Sequence, residues 1–312
     1  MTGPGGEAGA ARGLAPNVQG ALWLVLAALV ITIMFAAVKV LDGRYNAFQI
    51  TFIRAAAALV LVPPILMRIG LDAVRPRKPG LLLLRSIAGT LTIGLSYVAL
   101  PYLPLADVQA ISFASVLFVV PLAALFLGER IGPRRWAAAL IGFAGVLIML
   151  RPSATMNVGA VAALASAFFF SVTVITVRRL SRTMHPEALL FYGMVLMTLL
   201  SAAPAAVFWK TPTAADWGLF ALIAATGAIS QFCYIRAYAV AEASAIGPME
   251  YLKLIFATGL GYALFDETLS LWTAAGAATI VGATLYISWR EATLARRRPQ
   301  RPEPPPTEGQ TQ

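Results

Sequence analysis

Ten apolar stretches, separated by short polar or charged segments, run along the chain at 20–40, 47–67, 80–100, 105–127, 134–150, 158–178, 187–208, 217–239, 244–265 and 272–289. Each approaches the roughly 20 residues that cross a hydrocarbon core as a helix, and none alternates with the period of two that a barrel strand requires. A helix satisfies its own backbone hydrogen bonds, which lipid demands of any spanning segment. The pattern predicts an all-α integral membrane protein of ten transmembrane helices. Residues 1–19, rich in Gly, Ala and Pro, and residues 291–312, rich in proline, read as disordered tails. The uncharged run from Ala21 to Val38 is longer than the about 7–15 apolar residues of a signal peptide, so it reads as the first span.

Composition agrees with the pattern. The 312 residues are 59% hydrophobic and 12% charged, against about 45–50% and about 25% in soluble domains. The net charge of +10 does not call for nucleic acid, because the basic residues lie between apolar runs instead of clustering on a soluble module. They set topology instead, since basic loops stay cytoplasmic. With the N-terminus inside, sixteen of the 24 basic residues are cytoplasmic, including Arg75, Arg77, Lys78, Arg134 and Arg135. Lys39, Arg44, Arg151 and Lys210 fall outside, and Arg54, Arg85, Arg236 and Lys253 lie within spans. Both termini are then cytoplasmic.

The chain also repeats itself. Leu105 through Glu129 lines up with Ala243 through Glu267 at an offset of 138, and Gly20-Ala21 and Gly159-Ala160 open two halves in the same manner. Five spans per copy make the second copy enter from the opposite side. The charges follow: in each corresponding pair of loops, the more basic member is the one placed inside. Inverted repeats are a construction of secondary transporters, with the binding site near mid-membrane between the halves.

The segment from Pro121 to Leu127-Gly128-Glu129-Arg130, closing span four of a five-plus-five repeat, resembles the EamA family of the drug/metabolite transporter superfamily. Its second copy, Phe265-Asp266-Glu267-Thr268, departs from that ending. The resemblance covers about residues 20–290, with repeats at 20–151 and 157–290. It implies a ten-helix bundle whose central cavity is lined mostly by spans 1, 3, 4, 6, 8 and 9. Cargo across the family ranges over amino acids, nucleotide-like metabolites, vitamins and drugs.

Ionisable residues inside spans are costly and are functional candidates by default. Counting about 1.5 Å per residue places Lys253 roughly 13 Å deep, near the midplane. Glu250 lies three residues earlier on the same face, so the two can pair. Their equivalents in span four are Ser112 and Ser115, with Gln109 a turn away. These faces should meet across a pseudo-two-fold axis. A substrate-binding pair and a structural tie for span nine both fit Glu250 and Lys253. Tyr251 is a candidate to stack on a ring-bearing substrate. Arg54 lies about 10 Å from the outer edge, too deep to reach water easily, and serves either the fold or the substrate. Arg236, with Gln231 close by in span eight, is a further substrate candidate, whereas Arg85 is expected to snorkel to the inner surface. Asp107 is expected to face water, and Glu129 and Glu267 to act as hinges or caps.

Catalysis finds no footing here. The only histidine, His185, lies in a loop, and the only cysteine, Cys233, excludes a cysteine cluster, so no catalytic group, metal or cofactor is expected. The leading reading is a secondary carrier for a small anionic or zwitterionic metabolite, such as an amino acid, in a bacterial inner membrane. Its partners would be the small-molecule substrate and the lipid bilayer, with a coupling proton and a homodimer left open. A drug-efflux carrier is the alternative, although the first span lacks the buried acid that a cationic drug would want. A membrane receptor or scaffold is the alternative of another class.

Overall fold

The computed structural model describes residues 16–41, 43–61, 78–128, 133–150, 157–181, 183–184, 186–241 and 247–296. These residues hold eleven α-helices and no strand. In the first repeat they are α1 (Pro16–Val40), α2 (Ala47–Ala58), α3 (Pro79–Ala99), α4 (Leu105–Ser112), α5 (Ser115–Leu127) and α6 (Pro133–Leu150). The second repeat contains α7 (Val158–Leu180), α8 (Pro186–Val207), α9 (Ala214–Val240), α10 (Leu252–Phe265) and α11 (Leu271–Arg296). Among the described residues, six helices are long and apolar enough to cross a membrane, with α4 and α5 counted as one, and Ala47–Ala58, Ala139–Ile148 and Leu271–Ala283 are shorter apolar helices. The first helix begins at Pro16 and the last runs to Arg296, so both reach into segments expected as tails. The rest of those tails, the end of the second predicted span, Glu129 and His185 lie outside the described residues.

An asparagine caps one helix in each half, and one helix stop recurs between them. Asn46 caps α2 by accepting the Phe48 N–H, and Asn157 caps α7 by accepting the Gly159 N–H. Gly128 ends α5 and Asp266 ends α10, both in the left-handed conformation (φ 65° and 52°) and 138 residues apart. Packing follows the same exchange: α1 lies along α9 as α7 lies along α3, while α2 meets α8, α6 meets α11 and α4 meets α10. The glycines that open the two halves permit close approaches. A Cβ on Gly20 would stand 2.2 Å from Ala241 Cβ and 3.0 Å from the Ala237 carbonyl, and one on Gly159 would stand 2.5 Å from Tyr102 Cβ and 3.2 Å from the Ala99 carbonyl. Ala237 and Ala99 are again 138 apart. The halves therefore pack by one rule applied twice.

The core mixes aliphatic and aromatic side chains, with Leu24, Met34, Leu41, Leu100, Phe220 and Ile223 fully enclosed. The perimeter carries Leu125, Leu140, Leu199, Ile255 and Leu264 in the open, a surface that hydrocarbon accommodates and water does not. Hydroxyls among the helices mostly donate to their own backbone one turn back, as Thr32 does to Ala28, Thr51 to Ala47 and Thr226 to Leu222.

Candidate functional site

A cavity of about 290 Å³ lies between α2, α3, α7, α8 and α9, walled by both repeats. Such a volume sits at the lower end of the about 300–1,000 Å³ typical of small-molecule sites. Its lining includes two guanidinium groups and, among the described residues, no carboxylate. Arg54 enters from α2, with Nη1 directed at Met197 Sδ at 3.8 Å. It fits because Gly227 has no side chain: a Cβ there would stand 2.7 Å from Arg54 Nε. Arg85 enters from α3 against Gly193, where a Cβ would stand 2.8 Å from Nη1. The Nε of each arginine is buried without a hydrogen-bond acceptor among the described residues. A buried donor left in that condition is costly, so the arrangement suits an acceptor brought by a ligand.

The hydroxyls of the wall spend their protons on their own helices, and none accepts from either Nε. Ser86 donates to the Leu82 carbonyl (3.0 Å), Thr92 to Ala88 (2.7 Å) and Thr173 to Phe169 (3.0 Å). Phe170, Met194 and Met197 supply apolar surface, and Gln231 lines the α9 side.

A second polar region forms where two spans are broken. Helix α4 ends at Ser112 and α5 starts at Ser115, while a 3₁₀ segment, Gly247–Tyr251, precedes α10. At the first break the backbone shifts to tighter bonds, Phe113 N–H to Ala110 and Ala114 N–H to Ile111, so its amides stay satisfied. Phe113 and Tyr251, equivalent at the 138 offset, face each other edge to face with ring centroids 5.0 Å apart. Glu250 and Lys253 form a close ion pair, and the Lys253 ammonium also lies 5.6 Å from the Tyr234 ring centre. Ser112 donates to the Gln109 carbonyl (2.6 Å), Ser115 is buried, and Gln109 Nε2 is buried with no partner among the described residues.

The sequence candidates thus divide. Gln109, Ser112, Ser115, Glu250, Tyr251 and Lys253 sit at the two breaks, whereas Arg54 and Gln231 line the cavity. Arg236 joins neither, being exposed over the Phe232 ring of its own helix at 5.6 Å. Arg85 does not snorkel as expected; it turns inward against α8. Depth along α3 does not indicate this, but Ser86, Gly89 and Thr92 mark a small, polar face on the same helix.

At the far end of the bundle, polar ties join the two repeats. Glu267 accepts the Leu105 N–H at 2.8 Å and pairs with Lys39 at 2.5 Å, so it caps α4. Asp107, expected to face water, accepts a hydrogen bond from Thr273 Oγ1 (2.8 Å). Asp216 takes Arg44 (3.0 Å), the Tyr45 hydroxyl (2.6 Å) and the Thr213 hydroxyl (2.6 Å), and the Gln49 amide exchanges two bonds with the Lys210 backbone. Tyr45 lies in the α1–α2 connection, and its hydrogen bond to the Asp216 carboxylate raises the phenol's pKa above the ordinary tyrosine value.

Comparison with known proteins places this geometry in context. The model of the EamA-like transporter family matches residues 18–151 and again 157–289. A riboflavin transporter of Rhizobium johnstonii is 30% identical, the match covering 90% of this chain and 94% of that one. An S-adenosylmethionine uptake transporter of Rickettsia prowazekii is 26% identical over 88% of this chain and 94% of its own length. A pseudopaline exporter of Pseudomonas aeruginosa is 30% identical over 86% and 96%. One solved structure, 20% identical, has a TM-score of 0.59 over 91% of this chain and 99% of that chain, a likeness of fold alone.

Proposed function

The chain belongs to the EamA-like transporter family, within the drug/metabolite transporter superfamily, and on that premise we propose that it is a secondary carrier moving a small anionic or zwitterionic organic metabolite by alternating access. It is a multi-pass membrane protein; in this reading ten spans form two inverted five-helix repeats, both termini are cytoplasmic, and the membrane is a bacterial inner membrane. The observation that carries the proposal is the cavity walled by both repeats, with Arg54 and Arg85 directed into it and no lining carboxylate among the described residues. A site between inverted halves can be exposed to either side by rocking one half against the other.

The cavity lies in the half of the bundle away from the Lys39 end. Its lining on α8 and α9 is ten or more residues from the helix ends there, about 15 Å of rise. With the proposed orientation it faces the cytoplasm, while the Lys39–Glu267 and Arg44–Asp216 ties close the outer side. Relatives named for uptake and for export both exist, so direction does not follow from the family. The Glu250–Lys253 pair, seated at the start of α10 beside Tyr234 of α9, is proposed to hold span nine in place and to loosen during the switch.

The test is reconstitution. Purified protein screened against a metabolite library by thermal shift should be stabilised by its substrate, and the same solute should enter or leave proteoliposomes. Arg54→Gln should abolish that flux while leaving membrane insertion intact. Binding without any solute flux would instead establish a receptor.

A further inference from the structure

We propose that the cavity recognises a dianion, with Arg54 and Arg85 each taking one negative pole of the same small molecule; this rests on the carrier reading above and narrows its substrate class. Both guanidinium groups meet the same helix one turn apart: Arg85 lies against Gly193 and Arg54 against Met197. The rise between those positions is about 6 Å. Each arginine arrives with a buried Nε–H that has no acceptor among the described residues.

Two features separate a dianion from other small anions. First, two like charges share a cavity with no carboxylate in its described lining, so a monoanion leaves one cation uncompensated while a dianion neutralises both. Second, the donors that the described lining leaves available are chiefly the two guanidinium groups, and it holds no anion. Ser86, Thr92 and Thr173 commit their hydroxyl protons to their own helices, and the ammonium of a zwitterion would meet no carboxylate in that lining. Guanidinium forks pair with carboxylate or phosphate oxygens through parallel bonds. In the same lining, Gly89, Ile93 and Phe170 present a wall suited to methylenes or a ring. A short dicarboxylate spans such poles, and a phosphoryl group presents the same paired negative oxygens.

Gly193 and Gly227 are positioning residues in this scheme. They leave room for the two guanidinium groups, and a methyl group at either position would displace one of them.

The experiment measures binding of succinate, butyrate and inorganic phosphate to the purified full chain by calorimetry, at fixed ionic strength and neutral pH. Succinate is expected to bind at least about ten-fold tighter than butyrate, the difference a second charge-assisted pair supplies. Arg85→Gln should bring succinate down to the butyrate level, as should Gly193→Ala, which keeps the charge but moves it. Phosphate binding that Arg85→Gln also abolishes would support the clamp and assign its cargo to phosphate-bearing metabolites. Equal affinity for succinate and butyrate, or a preference that survives both substitutions in monodisperse protein, would overturn the proposal. If another solute is nevertheless transported, the clamp alone fails and the carrier reading stands.

Discussion

Asp266 is the only non-glycine residue at positive φ among the described residues. It ends α10 where Gly128 ends α5 in the other repeat. Asp tolerates the left-handed conformation better than most residues but still bears its steric cost, which glycine avoids. Asp266→Gly should therefore stabilise the protein by about 1 kcal/mol, read as a raised midpoint of thermal unfolding in detergent; a lowered midpoint would mean that the Asp266 side chain holds something the strain offsets. Tyr45 makes a prediction of different sign. Its phenol is raised because the protonated form donates to Asp216, so this contribution is fully present below the ordinary tyrosine value of about 10 and is lost as pH climbs through the raised value. Melting curves across that alkaline range should show the wild type losing stability more steeply than Tyr45→Phe, whose ring cannot ionise. Parallel losses would remove Tyr45 from the account.

The paired helices state the packing rule most directly. Gly20 lets α1 touch α9, and Gly159 lets α7 touch α3, each against a carbonyl at the equivalent position. Gly20→Val and Gly159→Val should each destabilise by about 3 kcal/mol through overpacking, and by similar amounts, because the two contacts are copies. Gly218→Ala, with nothing within 4 Å of the new Cβ, should be neutral or slightly stabilising in the same unfolding assay; a large loss there would show that glycine content rather than close approach governs these helices. Much of this was legible in the sequence. The 138-residue offset that aligned Leu105–Glu129 with Ala243–Glu267 also relates Phe113 to Tyr251 and Gly128 to Asp266. The break between Ser112 and Ser115 was not legible, because Phe113-Ala114 contains no proline or glycine to announce it; the Gly247-Pro248 pair does announce the second break. Arg85 departs from the expected course for a related reason. Depth follows from counting residues, but the direction a side chain takes around the helix depends on which neighbour packs there.

At the scale of the molecule, the two ends of the bundle are in opposite conditions. One half holds a cavity whose donors await a ligand, while the other end is tied by Lys39–Glu267, Arg44–Asp216 and the hydrogen bond from Thr273 to Asp107. These contacts join α1 to the α10–α11 connection, the α1–α2 connection to α9, and α4 to α11, so each crosses from one repeat to the other. In a carrier that alternates access, the tied end must open when the cavity closes, and weakening the ties should shift the population toward the opposite state. The change in labelling depends on how evenly the two states are already balanced. Glu267 is the position to test, because its carboxylate serves Lys39 and the Leu105 amide together. In a Cys233→Ala background, a cysteine replacing Ile93 in the cavity wall reports access. Adding Glu267→Gln, which keeps the shape and removes the charge, should raise its labelling by a membrane-impermeant maleimide applied from the Lys39 side several-fold. It should also reduce labelling from the cavity side. If labelling from both sides is unchanged, the tie is a structural staple and the gate lies elsewhere among the crossing contacts.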